Sequence, residues 1–141
     1  MNSTNNNSIT PSKEDYLRVI YELSECNKKV HSSDVAEKLG ITRASVSRMM
    51  SELKTSGLIE KEKYGSISLT KEGYKIAAQI KDKHDIIVSF LVEVLEIEKA
   101  DAKKDACKME HAISAETAER LNRVLKNKEG IVCLEAMEPG L

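Results

Sequence analysis

The stretch from Val30 to Thr70 leaves the chain little choice of fold. Val35, Ala36 and Leu39 sit at the spacing of a short amphipathic helix, and Gly40 follows where a helix C-terminus or turn is needed. Thr42 is placed to cap a second helix, in which Val46, Met49, Met50 and Leu53 recur with helical period. Gly57 suits the end of that helix. Leu58 to Lys63 and Ile67 to Thr70 then read as two short strands around Tyr64-Gly65-Ser66. Helix, tight turn, helix and hairpin make a winged helix-turn-helix, an arrangement that lays its second helix in the DNA major groove. The face of that helix opposite the apolar stripe carries Thr42, Arg43, Ser45, Ser47 and Arg48. Short hydroxyls and forked guanidiniums are the groups that pair with base edges and phosphates. A plain helical hairpin with a solvated basic face would share part of this pattern, but not the wing.

Composition narrows the class further. The chain has 141 residues, enough for one domain or two small ones. Aromatic residues make up 4%, Trp is absent and charged residues reach 32%, so the core must be aliphatic and the protein mainly helical and soluble. No apolar run approaches the roughly 20 residues that span a bilayer, and the polar amino terminus has no signal-peptide pattern. The expectation is a cytoplasmic protein with no membrane partner. A net charge of −1 excludes a general polycation. The charges lean slightly basic over residues 1–75 and acidic over 76–141, which suits DNA at one end and something cationic, or a partner subunit, at the other. Cys26, Cys107 and Cys133 form no CxxC pair and are expected as thiols.

Three segments follow in order. Residues 1–10 are rich in Asn, Ser and Thr and are expected to be a disordered tail. Residues 11–73 form the winged helix-turn-helix domain. Its first helix opens at Pro11-Ser12, with Ser12 as cap, Asp15 in the first turn and Leu17, Ile20, Tyr21 and Leu23 as the buried stripe. Residues 74–141 form an all-helical second domain. The helix from Lys71 to about Leu95 tolerates Gly73 near its start and is apolar on more than one face towards its end. Ile87, Phe90, Leu91 and Val94 are therefore the candidate dimer interface, with burial inside their own domain as the competing reading. Asp101 is placed to cap the next helix, running to about Ile113, and Ser114 the last one, Ala115 to Leu125. The tail from Lys126, with Gly130, Pro139 and Gly140, reads as a loop or a loosely docked strand.

Cys107, Glu110 and His111 stand at i, i+3 and i+4. At about 100° per residue they share one helix face. Thiolate, carboxylate and imidazole together make a partial shell for a divalent transition metal, although a buried Cys and a surface Glu-His pair are common without one. His84, on the preceding long helix, is a further donor.

Taken together, EDYLRVIYEL, VAEKLGITRASVSRMMSEL, YGSISLTKEG, KHDIIVSFLVEVL and DACKMEHAIS resemble the first helix, helix-turn-helix, wing, linker helix and metal-binding helix of the DtxR/MntR family of metal-dependent transcriptional repressors. The resemblance covers nearly the whole chain apart from its ends. It implies a homodimer on a two-fold double-stranded DNA operator, with Mn²⁺ or Fe²⁺ as activating ion and no small-molecule substrate. Carried over by position, the metal ligands are Asp15, Cys107, Glu110 and His111, and His84 matches a metal-binding histidine. The DNA-contacting set is Ser33, Thr42, Arg43, Ala44, Ser45, Ser47, Arg48, Lys54, Lys61 and Lys63. The chain also departs from the family. Asp15 with Cys107 takes one ligand type from the manganese branch and one from the iron branch. Arg18 replaces a second first-helix carboxylate, and Val88 and Lys103 stand where an ancillary metal site has ligands. Gly65 replaces a wing arginine. An SH3-like third domain is not expected. The resulting expectation is a metal-activated repressor of manganese or iron homeostasis genes, with one activating ion per subunit and His84 as a fifth ligand or a support to a ligand. The alternatives are a winged-helix regulator that needs no metal, responding to thiol redox state, and, least supported, a small metal-dependent hydrolase.

Overall fold

The computed structural model describes residues 10–26 and 29–127. The expected N-terminal tail, apart from Thr10, and the C-terminal segment with Gly130, Cys133, Pro139 and Gly140 lie outside these residues. The chain divides into two compact units, residues 1–81 and 82–141.

The first unit is a winged helix-turn-helix. Helix α1 spans Pro11–Cys26, α2 Ser32–Leu39 and α3 Arg43–Thr55. Strands β1 (Ile59–Lys61) and β2 (Ile67–Leu69) pair antiparallel, with Glu60 opposite Ser68. Val30 adds an isolated bridge to Ile67, its carbonyl accepting from the Ile67 amide at 2.7 Å, so the segment before α2 is stitched to the wing. Helix α4, Lys71–Glu93, begins in this unit. The core is aliphatic as composition requires: Leu17, Ile20, Val30, Val35, Val46, Met50, Leu53, Ile59, Ile67 and Ala77 are buried.

Local chemistry sets the boundaries. Helix α1 starts earlier than expected, and Thr10 rather than Ser12 caps it: the Lys13 amide donates to Thr10 Oγ1 at 3.3 Å, and Pro11 takes the first helical position, where its missing N–H costs nothing. Gly40 ends α2 with φ 69°. Helix α3 ends in a Schellman motif: Leu58 N–H donates to the Leu53 carbonyl at 2.9 Å and Gly57 N–H to Lys54 at 3.0 Å, with Gly57 at φ 77°. Helix α4 is capped by Thr70, whose Oγ1 accepts from the Gly73 amide at 3.0 Å and donates to the Gly57 carbonyl at 2.7 Å. Gly73 is not merely tolerated. A Cβ there would lie 1.9 Å from the Leu58 carbonyl oxygen, so only glycine lets α4 approach the base of the wing.

Helix α1 is more deeply set than one stripe, since Tyr16 to Ile20 are all buried. That run includes Arg18, which places Nη1 3.0 Å from Glu22 Oε2 and Nη2 3.8 Å from Asp15 Oδ1. Lys81 reaches the same Glu22 oxygen at 3.2 Å.

The second unit contains the end of α4, α5 (Lys99–Met109) and α6 (Ala115–Lys126). Ile87, Leu91, Ala102 and Ala106 form its buried centre, with Val88, Val92, Ile97, Met109, Ile113 and Leu121 packed around it. Small alanines on α5 let it lie close to the branched side chains of α4. Helix α5 begins at Lys99 behind Glu98, two residues ahead of the expected Asp101 cap, and Asp101 sits in its first turn, where the helix dipole favours a carboxylate. It ends at Met109 rather than Ile113. The backbone beyond tightens to i−3 bonds, with Ala112 N–H on the Met109 carbonyl at 2.9 Å, before Ser114 caps α6 by accepting from Thr117 N–H at 3.1 Å.

Candidate nucleic-acid interface and metal centre

The nucleic-acid face is built by α3 and the wing. Val46, Met50 and Leu53 turn inward, so Arg43, Ala44, Ser45, Ser47 and Arg48 are exposed on the opposite side. Thr42 is committed to the start of this helix: its Oγ1 accepts from Ser45 N–H at 3.2 Å and donates to Ser45 Oγ at 3.0 Å. The helix thus begins with its N-terminal dipole, two hydroxyls and Arg43 together, a combination that favours phosphate. Ser33 is exposed on α2, Lys54 near the end of α3, and Lys61 and Lys63 on the wing. Lys54 and Lys61 line one shallow cleft, which Glu60 and Glu62 also border. Tyr64 was placed by the sequence in the wing turn but not singled out as a contact residue. It is 93% exposed at the wing tip with φ 65°, a left-handed conformation that costs an L residue roughly 1–2 kcal/mol. Gly65, which follows it at φ 80°, is the turn residue that the sequence made legible.

Two metal-type donors of the second unit, His84 and His111, meet at Glu110. This carboxylate is 2% exposed. Its Oε1 lies 2.6 Å from His84 Nδ1 and its Oε2 3.5 Å from His111 Nε2. α4 supplies His84, and the tightened turn after α5 supplies Glu110 and His111. Cys107 is half-buried one turn earlier on α5. Two imidazoles, a carboxylate and a thiol within two adjoining elements are a donor set suited to a divalent transition ion. Asp15, the remaining expected ligand, belongs to the first unit, where it is half-buried and paired with Arg18. Val88 is half-buried beside the core and Lys103 exposed, so neither adds a donor.

Of the residues expected at a subunit interface, Ile87 and Leu91 are 1% and 6% exposed and serve the core of their own unit. There their side chains cluster with Ala102 and Ala106 of α5, as the competing reading of burial in their own domain has it. Phe90 and Val94 are half-buried, and Leu95 beside them is 54% exposed.

Residues 8–67 match the family model for the N-terminal DNA-binding domain of iron-dependent repressors, and residues 70–130 match that for their metal-binding and dimerisation domain. An uncharacterized HTH-type transcriptional regulator of Methanocaldococcus jannaschii is 40% identical over 80% of this chain and 91% of its own length. The transcriptional regulator MntR of Escherichia coli is 34% identical, over 83% of this chain and 74% of its own. Among solved structures, the manganese regulator SloR superposes with a TM-score of 0.73 at 36% identity, over 84% of this chain. This chain spans 55% of the SloR chain, about half its length. The fold defines a winged-helix protein with an appended helical unit. The chain belongs to the DtxR/MntR family of metal-dependent transcriptional regulators. Among the described residues, no helix is long and apolar enough to cross a membrane.

Proposed function

We propose that this protein is a metal-activated repressor of manganese or iron homeostasis genes, acting in the cytoplasm as a homodimer on a two-fold operator. The observation that carries the reading is the pairing, in one chain, of the exposed Arg43–Arg48 face with the buried His84–Glu110 pair and the half-buried His111 beside it. One unit offers groups for DNA and the other groups for a cation. Cys107, Glu110 and His111 hold the ion, and Asp15 on α1 completes the set from the DNA-binding unit. A bound divalent cation supplies the positive charge that lets these donors, two of them carboxylates, share one site. His84 holds the Glu110 carboxylate in place through Nδ1, as ligand carboxylates and imidazoles are commonly held by outer partners. Because Asp15 and the other three ligands come from different units, occupancy favours one arrangement of α3 over others, and the gain in DNA affinity equals the ion's preference for that arrangement.

Cys107 sets the choice of ion. A thiolate is softer than a carboxylate and suits iron better than manganese, so both ions activate and Cys107→Glu raises the relative response to Mn²⁺. The test is binding to DNA enriched from a random-sequence library, measured with chelator, with Mn²⁺ and with anaerobic Fe²⁺. Metal-dependent binding supports the reading. Equal binding in chelator returns the chain to the metal-independent class.

A further inference from the structure

We infer that Tyr64 is a DNA-contacting residue, its phenol hydroxyl donating to a phosphate oxygen beside the groove that α3 enters. The inference rests on the proposed DNA-binding reading and extends it to a residue that neither the helix pattern nor the family resemblance assigns.

Three observations converge on it. Tyr64 is 93% exposed, so packing gives no reason for a large aromatic residue at this position. It also holds φ 65° and ψ 18°, followed by Gly65 at φ 80°. Two successive left-handed positions suit Gly or Asn, and conformation alone would select either over Tyr. A residue retained against both packing and backbone preference points to a function. Finally, the wing presents this side chain on a fixed base. Glu62 N–H donates to the Ser66 carbonyl at 2.8 Å, and Gly65 N–H donates to the Glu62 carbonyl at 3.1 Å. The Glu62 carboxylate is drawn back along the hairpin, accepting from Ser66 Oγ at 3.4 Å and Ser68 Oγ at 3.2 Å. The acid nearest the tip is therefore occupied, and Lys63 and Tyr64 are left as the outermost side chains. A phenol beside an ammonium is a combination that recognises a phosphodiester: the cation draws the backbone in, and the hydroxyl fixes the register without reading bases.

The experiment uses the full chain loaded with Mn²⁺ and a fluorescent duplex enriched from a random-sequence library by the parent protein. Tyr64→Phe removes one hydrogen bond to a charged phosphate per tip and lowers affinity about 10-fold or more. The base preference stays unchanged. The dependence of log affinity on log salt also keeps its slope, whereas Lys63→Ala reduces that slope by about 0.9 for each phosphate released. Tyr64→Gly weakens binding at least as much as Phe while its melting temperature holds or rises, because glycine accepts φ 65° freely. Phe and Gly variants that bind within twofold of the parent overturn the assignment. So does a Gly variant that loses its fold, since the phenol would then be structural, or one that changes only self-association in light scattering. Failure of the parent to enrich any duplex shows in the control arm and removes the DNA-binding reading itself.

Discussion

Nδ1 of His84 stands 2.6 Å from Oε1 of Glu110, and both side chains are buried. The contact joins α4 to the turn after α5 and aims the second Glu110 oxygen at His111. A residue that orients a ligand and a residue that is one respond differently to removal. His84→Ala is expected to weaken Mn²⁺ binding about 10- to 100-fold while leaving one site per chain. Glu110→Gln is expected to abolish that site. Calorimetry on reduced, anaerobic protein separates the two. Loss of a second, independent site on His84→Ala would instead make His84 the ligand of another ion.

Gly73 gives a prediction whose sign is diagnostic. Alanine is the better helix former, by about 1 kcal/mol in an exposed helix, so propensity alone predicts a gain. The Cβ contact of 1.9 Å with the Leu58 carbonyl predicts the reverse. Gly73→Ala should cost about 1–3 kcal/mol in urea unfolding, as other overpacked sites do. A stabilised variant would mean that α4 does not sit this close to the wing base.

Glu22 makes stability depend on pH. Burial acts to raise its carboxyl, but the nearby Arg18 and Lys81 outweigh burial and hold it below the ordinary value of 4.5. A carboxyl lowered in the folded state contributes stability above its unfolded pKa, and that contribution fades as pH falls through the folded pKa. The parent should therefore lose melting temperature as the pH drops below about 4.5. Glu22→Gln should start lower at neutral pH and fall less steeply over that acid range. Parallel melting curves for the two proteins would show that the Arg18–Glu22–Lys81 cluster contributes nothing.

How far the sequence alone reached depended on the range of each interaction. Thr42, Gly40, Gly57 and Ser114 were legible because caps and left-handed ends are decided within four residues. The exposed face of α3 was legible for the same reason. Thr10 displaced Ser12 because two hydroxyl residues two positions apart compete for one cap, and Pro11 between them prefers the first helical position. The bridge from Val30 to Ile67 and the His84–Glu110 contact join segments far apart in sequence, and no local period encodes them or the burial of Arg18. The apolar end of α4 announced that two faces were covered. Its period did not say which of Ile87, Phe90, Leu91 and Val94 would meet α5.

That last division can be tested. Leu91→Ala should cost about 2–5 kcal/mol of stability, the usual range for a buried leucine, with the protein remaining dimeric at high concentration. Phe90→Glu, on the half-buried side, should give monomers in light scattering with little change in the helical signal. Monomers from Leu91→Ala and dimers from Phe90→Glu would exchange the two faces.

In the proposed function, cation binding in one unit governs DNA binding by the other. The most direct measurement compares Glu110→Gln with Arg48→Ala, titrating each with Mn²⁺ and then with the enriched duplex. Arg48→Ala should bind Mn²⁺ like the parent and lose about 1–3 kcal/mol of sequence discrimination, the worth of one good base contact. Glu110→Gln should lose Mn²⁺ and, with it, the metal-induced gain in DNA affinity, matching the parent in chelator. A Glu110→Gln protein that still gains affinity for the duplex on adding Mn²⁺ would contradict this coupling.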